Sequence, residues 1–94
     1  MDRTYKALSD PSRRRILELL RDRDMTAGEI AAEFDMAWPS VSHHLNVLKG
    51  AELVLAEREG QTIRYSLRTT VLQDVIAQMV KLTGKRAKGG KGDA

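Results

Sequence analysis

The sequence predicts a mainly α domain that carries a single β-hairpin, in the order α-α-α-α-β-β-α. Three observations lead there. Apolar residues recur at helical spacing in several separate stretches. The pattern changes to strict alternation once, after Gly50, in "LVLAEREGQTIRYSL". The only two prolines, Pro11 and Pro39, both stand where a helix would begin.

The first helix covers residues 3–8 and is ended by "SDPS". Asp10 is placed to cap the second helix, with Pro11 pre-set at its first position. That helix runs to about Arg23 and buries a stripe of Ile16, Leu17, Leu19 and Leu20. "MTAGEIAAEF" opens a third helix with Thr26 and Glu29 at capping-box spacing, ahead of Ile30, Ala31 and Phe34. "DMAW" is a tight connection, after which Pro39 opens a fourth helix reaching about Lys49. Leu53 and Leu55 alternate with their neighbours, as do Ile63, Tyr65 and Leu67, around a turn at Glu59-Gly60; this is the hairpin. A last helix spans about Thr69 to Leu82. Two helices joined by a short turn and followed by a two-stranded ribbon describe a winged helix-turn-helix. The expected organisation is one domain over residues 1–83 and a flexible basic tail over 84–94.

With 94 residues the chain is close to the size at which one core needs a staple or a partner. It has no cysteine, which excludes disulfides, thiolate metal sites and thiol redox sensing, and suits a reducing cytoplasm. No run approaches the ~18 apolar residues of a membrane span, so neither export nor membrane insertion is expected. The net charge of +3 says little about partners. Lys85, Arg86, Lys88 and Lys91 against Asp93 account for all of it: of the chain's 16 basic and 13 acidic groups, the first 83 residues hold twelve of each.

"PSVSHHLNVL" places two histidines side by side on the fourth helix. Successive helical residues diverge by about 100°, so His43 and His44 cannot chelate one ion together. No third histidine exists and no carboxylate stands at the right step, so no metal is expected. Ser40 and Ser42 have no acidic neighbour to orient a histidine base, so neither catalysis nor a cofactor is expected. Val41, Leu45 and Leu48 share the core side, and His44 beside them reads as a packing residue. Pro39, His43, Asn46 and Gly50 lie opposite, flanked by Ser42 and Val47. A solvated helix face usually carries Glu and Lys pairs, whereas this one is small, polar and nearly uncharged. Short hydrogen-bonding groups of this kind suit base edges in the major groove of double-stranded DNA.

The last helix is too apolar for a lone chain. Val71, Leu72, Val75, Ile76, Ala77, Met79, Val80 and Leu82 are eight apolar residues in twelve, about twice what one buried face needs. A homodimer is expected to cover the surplus through Leu72, Val75, Ile76 and Met79, joined by Tyr5 and Leu8 of the first helix. Two-fold pairing sets recognition helices about 34 Å apart and predicts a palindromic operator.

"ALSDPSRRRILELL", "TAGEIAAEF", "PSVSHHLNVLKGAELV" and "REGQTIRYSL" together resemble the ArsR/SmtB family of bacterial winged-helix repressors, most of all its branch of SdpR-like autorepressors. The resemblance covers about residues 3–82. It implies a homodimer that binds an imperfect palindrome and blocks transcription until a signal releases it. By the same resemblance, DNA contacts fall on Trp38, Pro39, Ser40, Ser42 and His43, and wing contacts between Arg58 and Arg64, with Gln61 near the tip. Asn46 joins them from the helix face read above. Arg13 to Arg15 resemble the family's basic segment, where helix-start packing and phosphate contact stand about even.

Three departures from the family matter. The cysteines that bind metal in many members are missing from "TAGEIAAEF", and "VLQDVIAQMVKL" has Asp74 without any histidine, so metal sensing is not carried over. Glu52 occupies a position where the family usually has glycine; either strain at Glu52 or an earlier helix end accommodates it. Trp38 stands where the family has something smaller, and either touches DNA or staples the following helical turn. Two other functions remain in view: a winged-helix module that binds protein, and a repressor that senses a metal or ligand at a non-standard site.

Overall fold

Side-chain oxygens decide where the first helices begin. A computed structural model of the chain describes residues 2–88, with side-chain surroundings through residue 84. Helix α1 (Asp2–Leu8) is followed by α2 (Pro11–Asp22). Asp10 caps α2 as expected, its carboxylate accepting from the amides of Ser12 at 2.8 Å and Arg13 at 3.1 Å. Thr26 caps α3 (Ala27–Ala31) in a complete capping box: the Glu29 amide donates to the Thr26 hydroxyl at 3.1 Å, and the Thr26 amide to the Glu29 carboxylate at 2.9 Å. Helix α3 is shorter than its apolar pattern suggests, and Phe34 packs half-buried from the turn beyond it.

Helix α4 (Trp38–Gly50) begins one residue before Pro39. Its N-cap is Ala37, which offers no side-chain acceptor. Beyond it, β2 (Val54–Glu59) and β3 (Thr62–Leu67) form the expected hairpin. The two-residue loop is Gly60-Gln61, one position later than Glu59-Gly60, because Glu59 pairs with Thr62. Gly60 has φ 63° and Gln61 does not share it, the combination of a type II′ turn. Register also corrects the buried face of β2. Val54 and Ala56, opposite Leu67 and Tyr65, turn to the core, whereas Leu55 is exposed on the other side. Leu53 is fully buried but precedes the strand.

A further strand, β1 (Met25–Thr26), was not expected from the pattern. It pairs antiparallel with β3, Met25 with Tyr65 and Thr26 with Arg64, giving a three-stranded sheet in the order β1-β3-β2. Two residues are too few to show a period, and their pairing partner lies far along the chain. Helix α5 (Thr69–Lys88) runs beyond the expected end at Leu82. The first positions of the expected tail, 84–88, are therefore helical. Lys85, Arg86, Ala87 and Lys88 are residue types that favour helix and carry it past Gly84. The rest of that tail lies outside the described residues.

The core is one cluster in which Ile16, Leu17 and Leu20 of α2 meet Ile30, Met25, Val54, Tyr65 and the Val41, Leu45, Leu48 stripe of α4. Helix α4 is thereby held against three helices and the sheet, with its opposite side outward. The architecture is the winged helix-turn-helix expected from the order of elements.

The exit from α4 resolves the question of Glu52. Its φ is 61°, left-handed, and it is the one non-glycine residue with positive φ among those described. The Glu52 amide donates to the Lys49 carbonyl and the Leu53 amide to the Leu48 carbonyl, both at 3.0 Å. These two bonds form a Schellman cap with Ala51 as its C-cap, completed by the buried Leu48 and Leu53. The helix does not end early at Gly50. Glu52 adopts the conformation that glycine would take without cost.

Candidate nucleic-acid interface

The outward side of α4 is built as its sequence implies. Pro39, Ser40, His43 and Asn46 are exposed, Ser42 is half-buried at the edge, and no acidic residue occurs in the helix. Trp38, in the first turn, is 51% exposed and is not among the residues packed on the core. Half of the ring is thus open to a partner.

The two histidines diverge as their spacing requires, with ring centroids 5.8 Å apart and tilted by 53°. His44 turns inward, its side chain 15% exposed, and its Nδ1 lies 3.2 Å from an Arg13 guanidinium nitrogen. His43 turns outward. No three His, Asp or Glu side chains converge as metal ligands among the described residues.

Arg13 to Arg15 all make packing or pairing contacts within the chain. Arg13 is 9% exposed and donates from Nε to the Ala7 carbonyl at 2.7 Å and from a terminal nitrogen to the Lys6 carbonyl at 3.1 Å. Arg14 donates to the Leu8 carbonyl at 2.8 Å, and Arg15 pairs with Glu18 at 3.3 Å. Two arginines thus cap the last carbonyls of α1, the end at which a helix leaves acceptors unfilled and favours cations.

At the wing the arginines are unlike one another. Arg64 donates to the Glu59 carboxylate at 2.9 Å, and that hydrogen bond with its charge raises the Arg64 pKa further. Arg58 is exposed at the ribbon edge, bonded among the described residues to the Gly60 carbonyl at 3.4 Å, with Gln61 exposed beside it. Of the two acidic residues beside these arginines, Glu57 and Glu59, it is Glu59 that pairs with Arg64.

A second exposed surface is apolar. Ile76 is 61% exposed and Leu82 74%, with Met79 and Val80 between them, all on α5. Of the other residues expected at a dimer interface, Val75 is buried, and Tyr5, Leu8 and Leu72 are half-buried, the last two packed on the core. Leu72 and Val75 share α5 with the exposed stripe. No described helix is long and apolar enough to cross a membrane.

The model of the bacterial regulatory protein family arsR matches residues 10–55. The chain is 55% identical over 85 residues to the transcriptional repressor SdpR of Bacillus subtilis, covering 90% of this chain and 94% of that protein. It is 38% identical over 80 residues to the HTH-type transcriptional regulator CmtR of Mycobacterium tuberculosis, covering 85% of this chain and 68% of that protein. Among solved structures it is similar to an ArsR family transcriptional regulator, with a TM-score of 0.84 at 26% identity over 88% of this chain and 91% of that one. HlyU from Vibrio cholerae has a TM-score of 0.69 at 29% identity, over 84% of this chain and 86% of that one.

Proposed function

The chain belongs to the arsR family of bacterial regulatory proteins and is a DNA-binding transcriptional regulator, and we propose that it represses transcription as a homodimer on a two-fold operator. The observation that carries this reading is the outer side of α4, where exposed Ser40, His43 and Asn46 offer uncharged donors and acceptors to base edges. Ser42 and Pro39 border that contact, and the exposed Trp38 ring lies where a sugar or thymine methyl would meet it. Arg58 and Gln61 reach the flanking phosphates, with Arg64 held back by Glu59.

The occupant of the apolar α5 stripe is a second copy of the chain. Ile76 and Met79, with Leu72 and Val75 beneath and Tyr5 and Leu8 beside them, meet their own equivalents about a two-fold axis. The two α4 helices then stand about one turn of DNA, 34 Å, apart. The working unit is residues 1–83, with the basic end adding solubility, and its place is the cytoplasm.

Fluorescence anisotropy on DNA from upstream of the chain's own gene, across a salt series and beside an unrelated duplex, tests this. Nanomolar, salt-sensitive binding that prefers the upstream DNA is expected. Equal, weak binding to both duplexes would refute an autorepressor and turn the α4 surface over to a protein partner.

A further inference from the structure

Between α1 and α4 lies a cleft of about 430 Å³ lined by Arg3, Lys6, Arg13, His43, Val47 and Gly50. Its chemistry is one-sided. Three of the six residues are permanent cations, one is a histidine, and none is acidic. Every element facing the cleft contributes: Arg3 and Lys6 from α1, Arg13 from α2, and His43 from the outward side of α4.

Arg13 is the informative member. A guanidinium has five N–H groups and no acceptor. Three of them are used, on the Ala7 and Lys6 carbonyls and on His44 Nδ1, all neutral partners. The Asp10 carboxylate is close enough to feel the Arg13 charge, but it accepts from the Ser12 and Arg13 amides and makes no ion pair with the guanidinium among the described residues, although nine-tenths of Arg13 is out of solvent. Buried charges are ordinarily paired, because desolvation without an opposite charge is costly. Here the side open to an opposite charge is the cleft.

The rim has spare capacity too. Arg3 spends one N–H on the Gly50 carbonyl at 3.3 Å, and the Lys6 side chain is exposed. Gly50 sits inside the last turn of α4, where glycine weakens a helix, yet a Cβ there would meet no atom within 4 Å. The chain's own packing does not require that glycine. It lines the cleft without narrowing it by a side chain.

We propose that this cleft is a binding subsite for a phosphate-class oxyanion, with Arg13 at its floor and Arg3, Lys6 and His43 at its rim. Fork-shaped guanidinium groups suit the paired oxygens of such an anion, and the lysine adds a point charge. Two sources share this chemistry: a backbone phosphate of bound DNA, and a free oxyanion. Because His43 belongs both to the cleft and to the proposed reading surface, a free anion seated there competes with DNA. Only the DNA source rests on the function proposed above.

The test has two arms. In the first, the isotopically labelled chain without DNA is titrated with inorganic phosphate against sodium chloride at matched ionic strength, and followed by NMR. Saturable shifts at Arg13 Nε–H, His43 and the Gly50 amide are expected, and their loss in Lys6→Gln. That substitution keeps the Lys6 carbonyl on which Arg13 is anchored and alters only an exposed side chain. In the second arm, the salt dependence of DNA binding is compared between the parent chain and Lys6→Gln. A slope smaller by about 0.9, with weakening alike on operator and unrelated duplexes, assigns the subsite to a DNA phosphate. Saturable phosphate binding with an unchanged slope assigns it to a free oxyanion. No saturable response together with an unchanged slope overturns the proposal. A parent chain that binds no DNA sinks the repressor reading alone, since the first arm still decides the cleft.

Discussion

The Arg13 guanidinium meets Nδ1 of His44 at 3.2 Å, joining the start of α2 to the middle of α4. Arginine can only donate, so Nδ1 accepts and the ring proton sits on Nε2. The Asp10 carboxylate is 3.9 Å from the same nitrogen, beyond hydrogen-bond reach, so the guanidinium sets the tautomer. Nitrogen-15 NMR should find the neutral His44 ring in the Nε2–H tautomer. Arg13→Gln strands the Ala7 and Lys6 carbonyls as well, and should destabilise the fold by about 2–3 kcal/mol in urea unfolding. A loss below 0.5 kcal/mol would show that α1 is held by other contacts.

Glu52 offers a test of opposite sign. A non-glycine residue in the left-handed region carries about 1–2 kcal/mol of steric cost, part of which glycine returns through its freer unfolded chain. Glu52→Gly should therefore stabilise the protein by about 0.5–1 kcal/mol while leaving the cap's two hydrogen bonds in place. A destabilised variant would mean that the Glu52 side chain contributes more than its backbone costs.

Acid should loosen both helix starts. Partial burial pushes the Asp10 carboxyl up, but the amides of Arg13 and Ser12, with His44 and Arg13 nearby, outweigh it and hold it below its ordinary range. The Thr26 amide does the same for Glu29, with help from Arg23. A carboxyl whose folded pKa is depressed stabilises the fold above its unfolded pKa, and that stability is lost as pH falls through the folded value. Between pH 5 and about pH 3 the parent should lose more stability than Asp10→Asn/Glu29→Gln, which keeps both caps but cannot titrate there. Equal losses would place the acid-labile groups elsewhere.

How much of this was legible beforehand follows range. The starts of α2 and α3 were readable because Asp10 and Thr26 act on amides within three residues. The core stripe of α4 was readable because Val41, Leu45 and Leu48 repeat at helical period. Strand β1 was not, since Met25 and Thr26 become a strand only by pairing with β3, some forty residues on. The choice between Leu55 and Ala56 depended on a register shift of one, to which alternation alone is blind. In the site, the exposed side of α4 was foreseen. The cleft was missed because Arg3, Lys6 and Arg13 are distant in sequence from His43; the one local hint was a glycine inside the last helical turn.

The apolar stripe of α5 predicts the oligomer. Ile76→Asp places a charge in the middle of it without disturbing the core, because Ile76 is exposed in a single chain. Sedimentation should find the parent dimeric and the variant monomeric, with DNA affinity lost although α4 is intact. A variant that remains dimeric would move the interface off this stripe.

The wing arginines should not be equivalent. Arg58→Gln removes an unpaired cation and should reduce the salt slope of DNA binding by about 0.9. Arg64→Gln releases Glu59, with which it is already neutralised, so its effect on the slope should be smaller. The reverse ranking would mean that the Arg64–Glu59 pair opens on DNA.

The strand order β1-β3-β2 has a mechanical consequence. Because β3 is clasped on both sides, and β1 runs directly into the Thr26 cap of α3, the wing is fastened to the helical unit at its root. A wing tied to the helices in this way is expected to keep its separation from α4 on binding DNA. Whatever adjustment docking demands falls on the duplex. Operators that match at every touched base but differ in how easily they bend should then be told apart by this protein.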